Sequence, residues 1–114
     1  MLLVKVFGGL GNQMFQYAFG RSLAIKCNDQ LKLDISHYNS TFSAITNRKF
    51  CLDRFNIVAD IAEEKDIKRL STTNWFLKKN KLIKKSHFVE NGDGVYTKGI
   101  CGFKEGVYCD GYWQ

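Results

Sequence analysis

The sequence predicts an α/β fold built on a parallel sheet, and three observations carry that expectation. Leu2-Leu3-Val4-Lys5-Val6-Phe7 is a short apolar run, and Gly8-Gly9-Leu10-Gly11 breaks it. A long helix-forming stretch follows. It leads to a second run, Gln30-Leu31-Lys32-Leu33-Asp34, whose apolar residues are two apart. Strand, crossover helix and strand in that order favour a parallel pair with a right-handed connection.

Taken in order, Leu2 to Phe7 carries one Lys in an otherwise apolar run, as a buried or half-buried strand requires. Asn12 can cap the helix that follows the glycines. From Gln13 to Cys27 the apolar residues Phe15, Ala18, Phe19, Leu23 and Ile25 fit a helix with a wide apolar face. Asn28-Asp29 ends it. His37 to Asn47 is polar and reads as a loop. Lys49 to Ile57 reads as a strand or extended segment with Phe50, Leu52 and Phe55 inward. Ile61 to Leu70 reads as a short helix, acidic at its start (Glu63, Glu64) and basic at its end (Lys68, Arg69), the order a helix dipole favours. Trp75 to Lys85 is basic and helical in character. Phe88-Val89-Glu90 runs into the turn cluster Asn91-Gly92-Asp93-Gly94, and Val107 to Asp110 is strand-like. No repeat, low-complexity segment or interdomain linker interrupts the chain, so residues 1–114 read as one domain.

The 114 residues are 45% hydrophobic and 14% aromatic, enough to build a core and too apolar for a disordered chain. The net charge of +6 owes much to Lys78, Lys79, Lys81, Lys84 and Lys85. Such a run reads first as a solvated helix face; peripheral contact with an anionic membrane surface or an acidic carrier is the second reading. No zinc-finger or RNA-recognition pattern is present, which argues against a nucleic-acid partner. The four cysteines, Cys27, Cys51, Cys101 and Cys109, make no C-x-x-C pair, and neither His37 nor His87 is spaced with them as in a zinc site. With no secretory leader or membrane-length apolar run in the sequence, reduced thiols in a cytoplasmic protein are expected.

The chemistry is concentrated in Gly8-Gly9-Leu10-Gly11-Asn12-Gln13, between the first strand and the first helix. Glycines there allow positive φ and close approach of a ligand to backbone. The helix N-terminus directs free N–H groups outward, and open parallel sheets bind ligands beyond the carboxyl ends of their strands. As a dinucleotide fingerprint the loop fails, because Met14 stands where the third glycine of G-x-G-x-x-G belongs, although Asp34 at the end of the second strand imitates that fold's acidic residue. No Gly-Lys-Ser or Gly-Lys-Thr follows, so it is not a P-loop. On spacing alone a tight structural turn and a ligand loop weigh equally. The neutral, directional amides of Asn12 and Gln13 favour the ligand.

From Gly8 to Ala18 (Gly-Gly-Leu-Gly-Asn-Gln-Met-Phe-Gln-Tyr-Ala) the chain is similar to the opening of the glycosyltransferase family that contains bacterial and animal α-1,2-fucosyltransferases. The resemblance continues through Gly20-Arg21-Ser22-Leu23-Ala24, Leu33-Asp34-Ile35-Ser36 with Tyr38, Phe50 to Ile57, and Gly111-Tyr112-Trp113-Gln114. It implies inverting transfer of L-fucose from GDP-fucose to the 2-hydroxyl of a terminal galactose. The fold it implies has two Rossmann-like domains, the GT-B type, and its catalysis needs no metal cofactor. The chain would then be the N-terminal, acceptor-side half. Asn12 is the expected catalytic residue, with Gly8, Gly9, Gly11, Gln13, Asp34 and His37 as substrate contacts.

One departure from that family matters. Its His-x-Arg-x-Gly-Asp motif, whose Arg neutralises the donor diphosphate, has no counterpart here: His37 is followed by Tyr38-Asn39 and His87 by Phe88-Val89. Without a bidentate phosphate clamp most donor affinity should be missing. The expected partner is therefore the remaining, C-terminal domain of the same enzyme, and the piece alone should be inactive. A non-catalytic carbohydrate- or partner-binding α/β remnant is the alternative. Arg21 reads as a surface ion-pair residue before a substrate contact. Tyr112 and Trp113 read as core aromatics before a sugar platform.

Overall fold

In the computed structural model, residues 1–40, 47–71, 87–90, 101, 103–104 and 106–114 are described. Strand β1 (Leu2–Lys5) leads through the glycine loop to helix α1 (Leu10–Cys27) and strand β2 (Leu31–Asp34). Two short 3₁₀ turns, Ser36–Asn39 and Leu52–Arg54, precede strand β3 (Asp60–Ile61) and helix α2 (Glu64–Leu70). Strands β4 (His87–Val89) and β5 (Val107–Asp110) complete one five-stranded sheet of order β3-β2-β1-β5-β4. Every pairing is parallel, with Leu2 opposite Leu31 and Val107. The arrangement is α/β and Rossmann-like, and the expected β1-α1-β2 unit is present.

Strand parity sorts the two faces of the sheet. Leu2, Val4 and Val6 join Leu31, Leu33, Val107 and Cys109 on the face covered by α1, where Leu23, Ala24 and Leu52 close the core. Leu3 and Tyr108 lie on the other face, against Leu70 of α2. Gly20 is where α1 touches the sheet. A Cβ there would stand 2.7 Å from Val4 Cγ2 and 3.0 Å from Leu31 Cδ1, both in the core. We expect Gly20→Ala to destabilise the protein despite better helix propensity. Overpacking costs about 1–3 kcal/mol, against a propensity gain of about 1 kcal/mol. A lower midpoint in urea unfolding checks this; an unchanged or higher midpoint would show that helix and sheet part freely.

Several expectations need correction. The inward face of α1 carries Gln13, Gln16, Gly20, Leu23 and Ala24, whereas Phe15 and Ile25, expected inside, are 53% and 64% exposed. The helix seats polar amides inward because the loops it supports need hydrogen bonds. Residues 49–57 do not form a strand: their amides bond locally, Arg54 N–H to the Cys51 carbonyl and Ile57 N–H to the Phe55 carbonyl. Leu52 is buried there as expected, but Phe55 faces outward. Ile61, expected to open the helix, is in a strand with Asp60 that pairs with β2, and α2 begins only at Glu64. The helix expected at Trp75–Lys85 and the turn at Asn91–Gly94 lie outside the described residues.

The cysteines were expected reduced, and here two of them are paired. Cys27, at the last turn of α1, is disulfide-bonded to Cys101, with a Cα separation of 5.1 Å. Connectivity is not readable from spacing, since the fold alone brings together residues 74 apart. Cys51 and Cys109 are free thiols. Burial, with the nearby Asp110 carboxylate, pushes the Cys109 thiol up to about 12, so it is an inert core group. Among the described residues no helix is long and apolar enough to cross a membrane.

Candidate functional site

After β1 the chain moves to β2 on one side, while β5 flanks β1 on the other. The carboxyl ends of β1 and β5 therefore form the switch point at which open α/β sheets place their ligands. The glycine loop lies there. Gly8 adopts φ +80°, and a Cβ on it would meet the Asn12 side-chain nitrogen at 2.6 Å, so the fold requires glycine at this position. Gly9 and Gly11 are different. A Cβ at either would meet no atom within 4 Å. Their missing side chains leave open space at the first turn of α1, which is the room a ligand needs to reach backbone.

Asn12 was expected to cap α1, and it does not. The N-cap is Gly9, with no side-chain cap bond, and Asn12 is the third helical residue. The amide is thereby released from capping. Its Oδ1 accepts a hydrogen bond from Gln114 Nε2 at 2.9 Å, which ties the loop after β5 to the loop after β1. The main-chain ladder starts with Gln13 N–H on the Gly9 carbonyl. The N–H groups of Leu10, Gly11 and Asn12 precede that ladder and have no intrahelical acceptor.

Two expected contact residues are turned away from this mouth. Gln13 is fully buried. Its Nε2 donates to the carbonyls of Gly8 (3.2 Å) and Lys49 (2.8 Å), and its Oε1 accepts from Cys51 N–H at 2.9 Å. Gln13 holds the loop in shape from behind. Asp34 is also buried, because strand parity puts it on the α2 face. There it accepts the Tyr108 hydroxyl at 2.7 Å and the Ser36 N–H at 2.9 Å. Burial and the Asp34 charge both raise the Tyr108 pKa, so the phenol stays protonated and donates to the carboxylate.

His37 does approach the mouth. Its ring lies 6.0 Å from that of Phe7, edge-on. Phe7 in turn meets Tyr112 at 4.7 Å, and Lys5 Nζ stands 5.6 Å over the Phe7 ring. Lys5 also pairs with Asp110 at 3.0 Å. Tyr112 is 48% exposed at the rim, which suits a platform role, whereas Trp113 stacks on Phe19 at 4.2 Å as a packing residue. Arg21 lies elsewhere, nine residues beyond Asn12 or about 14 Å along the helix, in a hollow with Asp29 and Asp60.

Other supports of the site carried weaker sequence signals. Gln16 accepts Phe7 N–H at 3.1 Å and donates to the Gly111 carbonyl at 3.4 Å, so it braces both edge loops. Tyr38 donates its hydroxyl to the Gly8 carbonyl at 3.0 Å, and burial raises its pKa well above the ordinary tyrosine value. Glu90 accepts the N–H groups of Tyr112 and Trp113. Two buried glutamines one turn apart on a helix were the available clue, since amides are placed inward only where backbone needs partners.

No family model matches the chain, and no solved structure does. Two bacterial proteins are similar over part of it. An α-1,2-colitosyltransferase of Escherichia coli is 40% identical over 57 residues, which is 50% of this chain and 19% of that enzyme. The O-antigen biosynthesis glycosyltransferase WbnK of Escherichia coli is 42% identical over 66 residues, 56% of this chain and 22% of that enzyme. Each alignment spans about a fifth of the relative's length. Over the half of the chain that aligns, the likeness is to sugar-transferring enzymes.

Proposed function

We propose that this chain is the N-terminal, acceptor-side part of a glycosyltransferase that moves L-fucose from GDP-fucose to the 2-hydroxyl of a terminal galactoside with inversion. The observation that carries the reading is the open glycine loop at the sheet's switch point, in a chain whose relatives transfer sugars. One relative makes an α-1,2 linkage by its name, in agreement with the resemblance at the loop. That same name makes a colitosyl donor the second reading.

In this mechanism Asn12 acts by hydrogen bonding and not by ionising. The sugar C1 gains positive character as its bond to the nucleoside diphosphate breaks, and the acceptor hydroxyl attacks from the opposite face, its proton passing to the departing diphosphate or to solvent. Asn12 orients the reacting groups by hydrogen bonding, and the mouth of α1 offers backbone N–H groups to developing negative charge. Gly9 and Gly11 give access, and His37 and Tyr112 flank the acceptor. Gln13 and Asp34 act by holding the loop and the end of β2.

This chain alone should bind GDP and GDP-fucose no better than millimolar and transfer nothing, since the diphosphate clamp belongs to the other half. Calorimetry with both ligands tests it. Micromolar binding, roughly 8 kcal/mol, would place the donor site in this half and overturn the division.

A further inference from the structure

Beside the mouth lies a second hollow, of about 430 Å³, at the carboxyl ends of β2 and β3. The 3₁₀ turn Ser36–Asn39 separates the two: His37 and Tyr38 face the glycine loop, by ring contact with Phe7 and by the bond to Gly8, while Ser36 and Asn39 line the hollow. Its apolar wall is made by Ile35, Ile61 and Ile67, and its polar rim by Ser36, Asn39 and Glu64. Glu64 bonds Lys68 through Oε1 at 2.6 Å, which lowers its pKa, so the carboxylate is charged and Oε2 remains as an acceptor.

The chemistry of these walls selects a ligand class. Among the described residues no basic side chain lines the hollow, and the nearby Lys68 ammonium is taken up by Glu64, so the described walls do not favour a phosphate. No aromatic ring among the described residues lines it either, so these walls give a base no stacking plate. Asp34, which a ribose would need at the end of β2, is bonded inward to Tyr108. What remains is an aliphatic wall facing a hydroxyl, an amide and a carboxylate. That suits a neutral ring with C–H groups on one face and hydroxyls on its edge, in a volume within the usual range for small-molecule sites.

We propose that this hollow is a glycan subsite, holding the sugar residue next to the galactose that lies at the glycine loop. The assignment rests on the acceptor-side reading above. Ile61 and Ile67 meet the C–H face of the pyranose, Ser36 and Asn39 meet its hydroxyls, and Glu64 accepts from a hydroxyl through its free oxygen. The turn 36–39 then touches both residues of the acceptor and sets the distance between them.

Titration of the ¹⁵N-labelled chain with methyl β-galactoside and with lactose decides it. Lactose should bind at least tenfold tighter and shift the amides of Ser36, Asn39, Ile61 and Glu64; methyl β-galactoside should shift only the glycine loop. Ser36→Ala and Asn39→Ala, both at exposed positions, should abolish the lactose advantage and leave methyl β-galactoside affinity unchanged. If lactose binds no tighter and moves only the glycine-loop amides, the subsite is wrong while the acceptor reading stands. If guanosine moves the hollow's amides instead, the site is a nucleoside pocket and the proposal is overturned. If neither sugar moves any amide, the acceptor reading falls with it.

Discussion

For the proposed sugar transfer, replacing Asn12 by Ala should lower kcat on the order of 10²-fold or more, the usual loss for a hydrogen bond made in the transition state. The structure sharpens this expectation, because Gly9 caps the helix. The Asn12 side chain is free of that duty, so its loss should leave helix stability nearly unchanged. Its described protein partner is Gln114 Nε2, which provides the control. Gln114→Ala removes the same bond without touching the Asn12 amide, and it should leave most of the turnover intact. Asn12→Ser and Asn12→Asp should keep the fold and still fail to restore kcat. Two outcomes in steady-state kinetics would sink the role: wild-type turnover by the Ser variant, or a Gln114→Ala loss equal to that of Asn12→Ala. The second would mean that Asn12 only fastens the edge loops together.

Breaking the Cys27–Cys101 bond should be the largest single loss of stability, about 4 kcal/mol for a loop of this length by chain entropy. The bridge links residues 74 apart, from the last turn of α1 to the segment ahead of β5. For a domain near this size, such a loss lowers the melting temperature by roughly 15–30 °C. Thermal melts of the oxidised protein, the dithiothreitol-treated protein and Cys27→Ser should place the last two together and well below the first. Coincident melts for all three would show that the bridge contributes nothing. Thiol labelling gives an independent check, since only Cys51 is both free and partly exposed. Cys109 should label only on unfolding, because its thiol is buried.

The parts of the fold set by local pattern were readable in the sequence. The β1-α1-β2 unit follows from apolar runs flanking a glycine break, and β5 from Val107-Tyr108-Cys109-Asp110. Strand β3 was not readable, because two residues, both exposed, carry no alternation and exist as a strand only through pairing with β2. The orientation of α1 was read correctly at Leu23, which is in the core, and misread at Phe15 and Ile25, which are exposed while Gln13 and Gln16 are buried. Leu10, Met14 and Phe15 face outward, the last two lining a hollow of about 310 Å³ with Gly11 and Ala18. Gln13 and Gln16 face inward, an inversion that burial rules for average residues cannot anticipate.

At the site, the sequence located the loop but not the direction of its side chains. Glycine clusters mark where backbone is exposed, so Gly8 to Asn12 stood out. Whether Gln13 or Asp34 faces ligand or core depends on the partners each one finds. Those partners, Cys51 and Tyr108, are 38 and 74 residues away. The same holds for Phe7 with Tyr112 and for Asn12 with Gln114, pairs that meet only once β5 lies beside β1.

That adjacency also governs how the chain must assemble. Residues forming β1 are made before both of their neighbours and can pair with β2 after about thirty more, yet the second neighbour, β5, comes roughly a hundred residues later. Throughout that interval the middle strand of the finished sheet is an edge. It displays unpaired backbone groups along Leu2–Lys5, three of whose four side chains end up buried. A nascent chain in this state is open to pairing with any other extended segment, including another copy of itself. Protection arrives only when Val107–Asp110 slots between β1 and β4, so the pairing of one four-residue strand ends the period of risk.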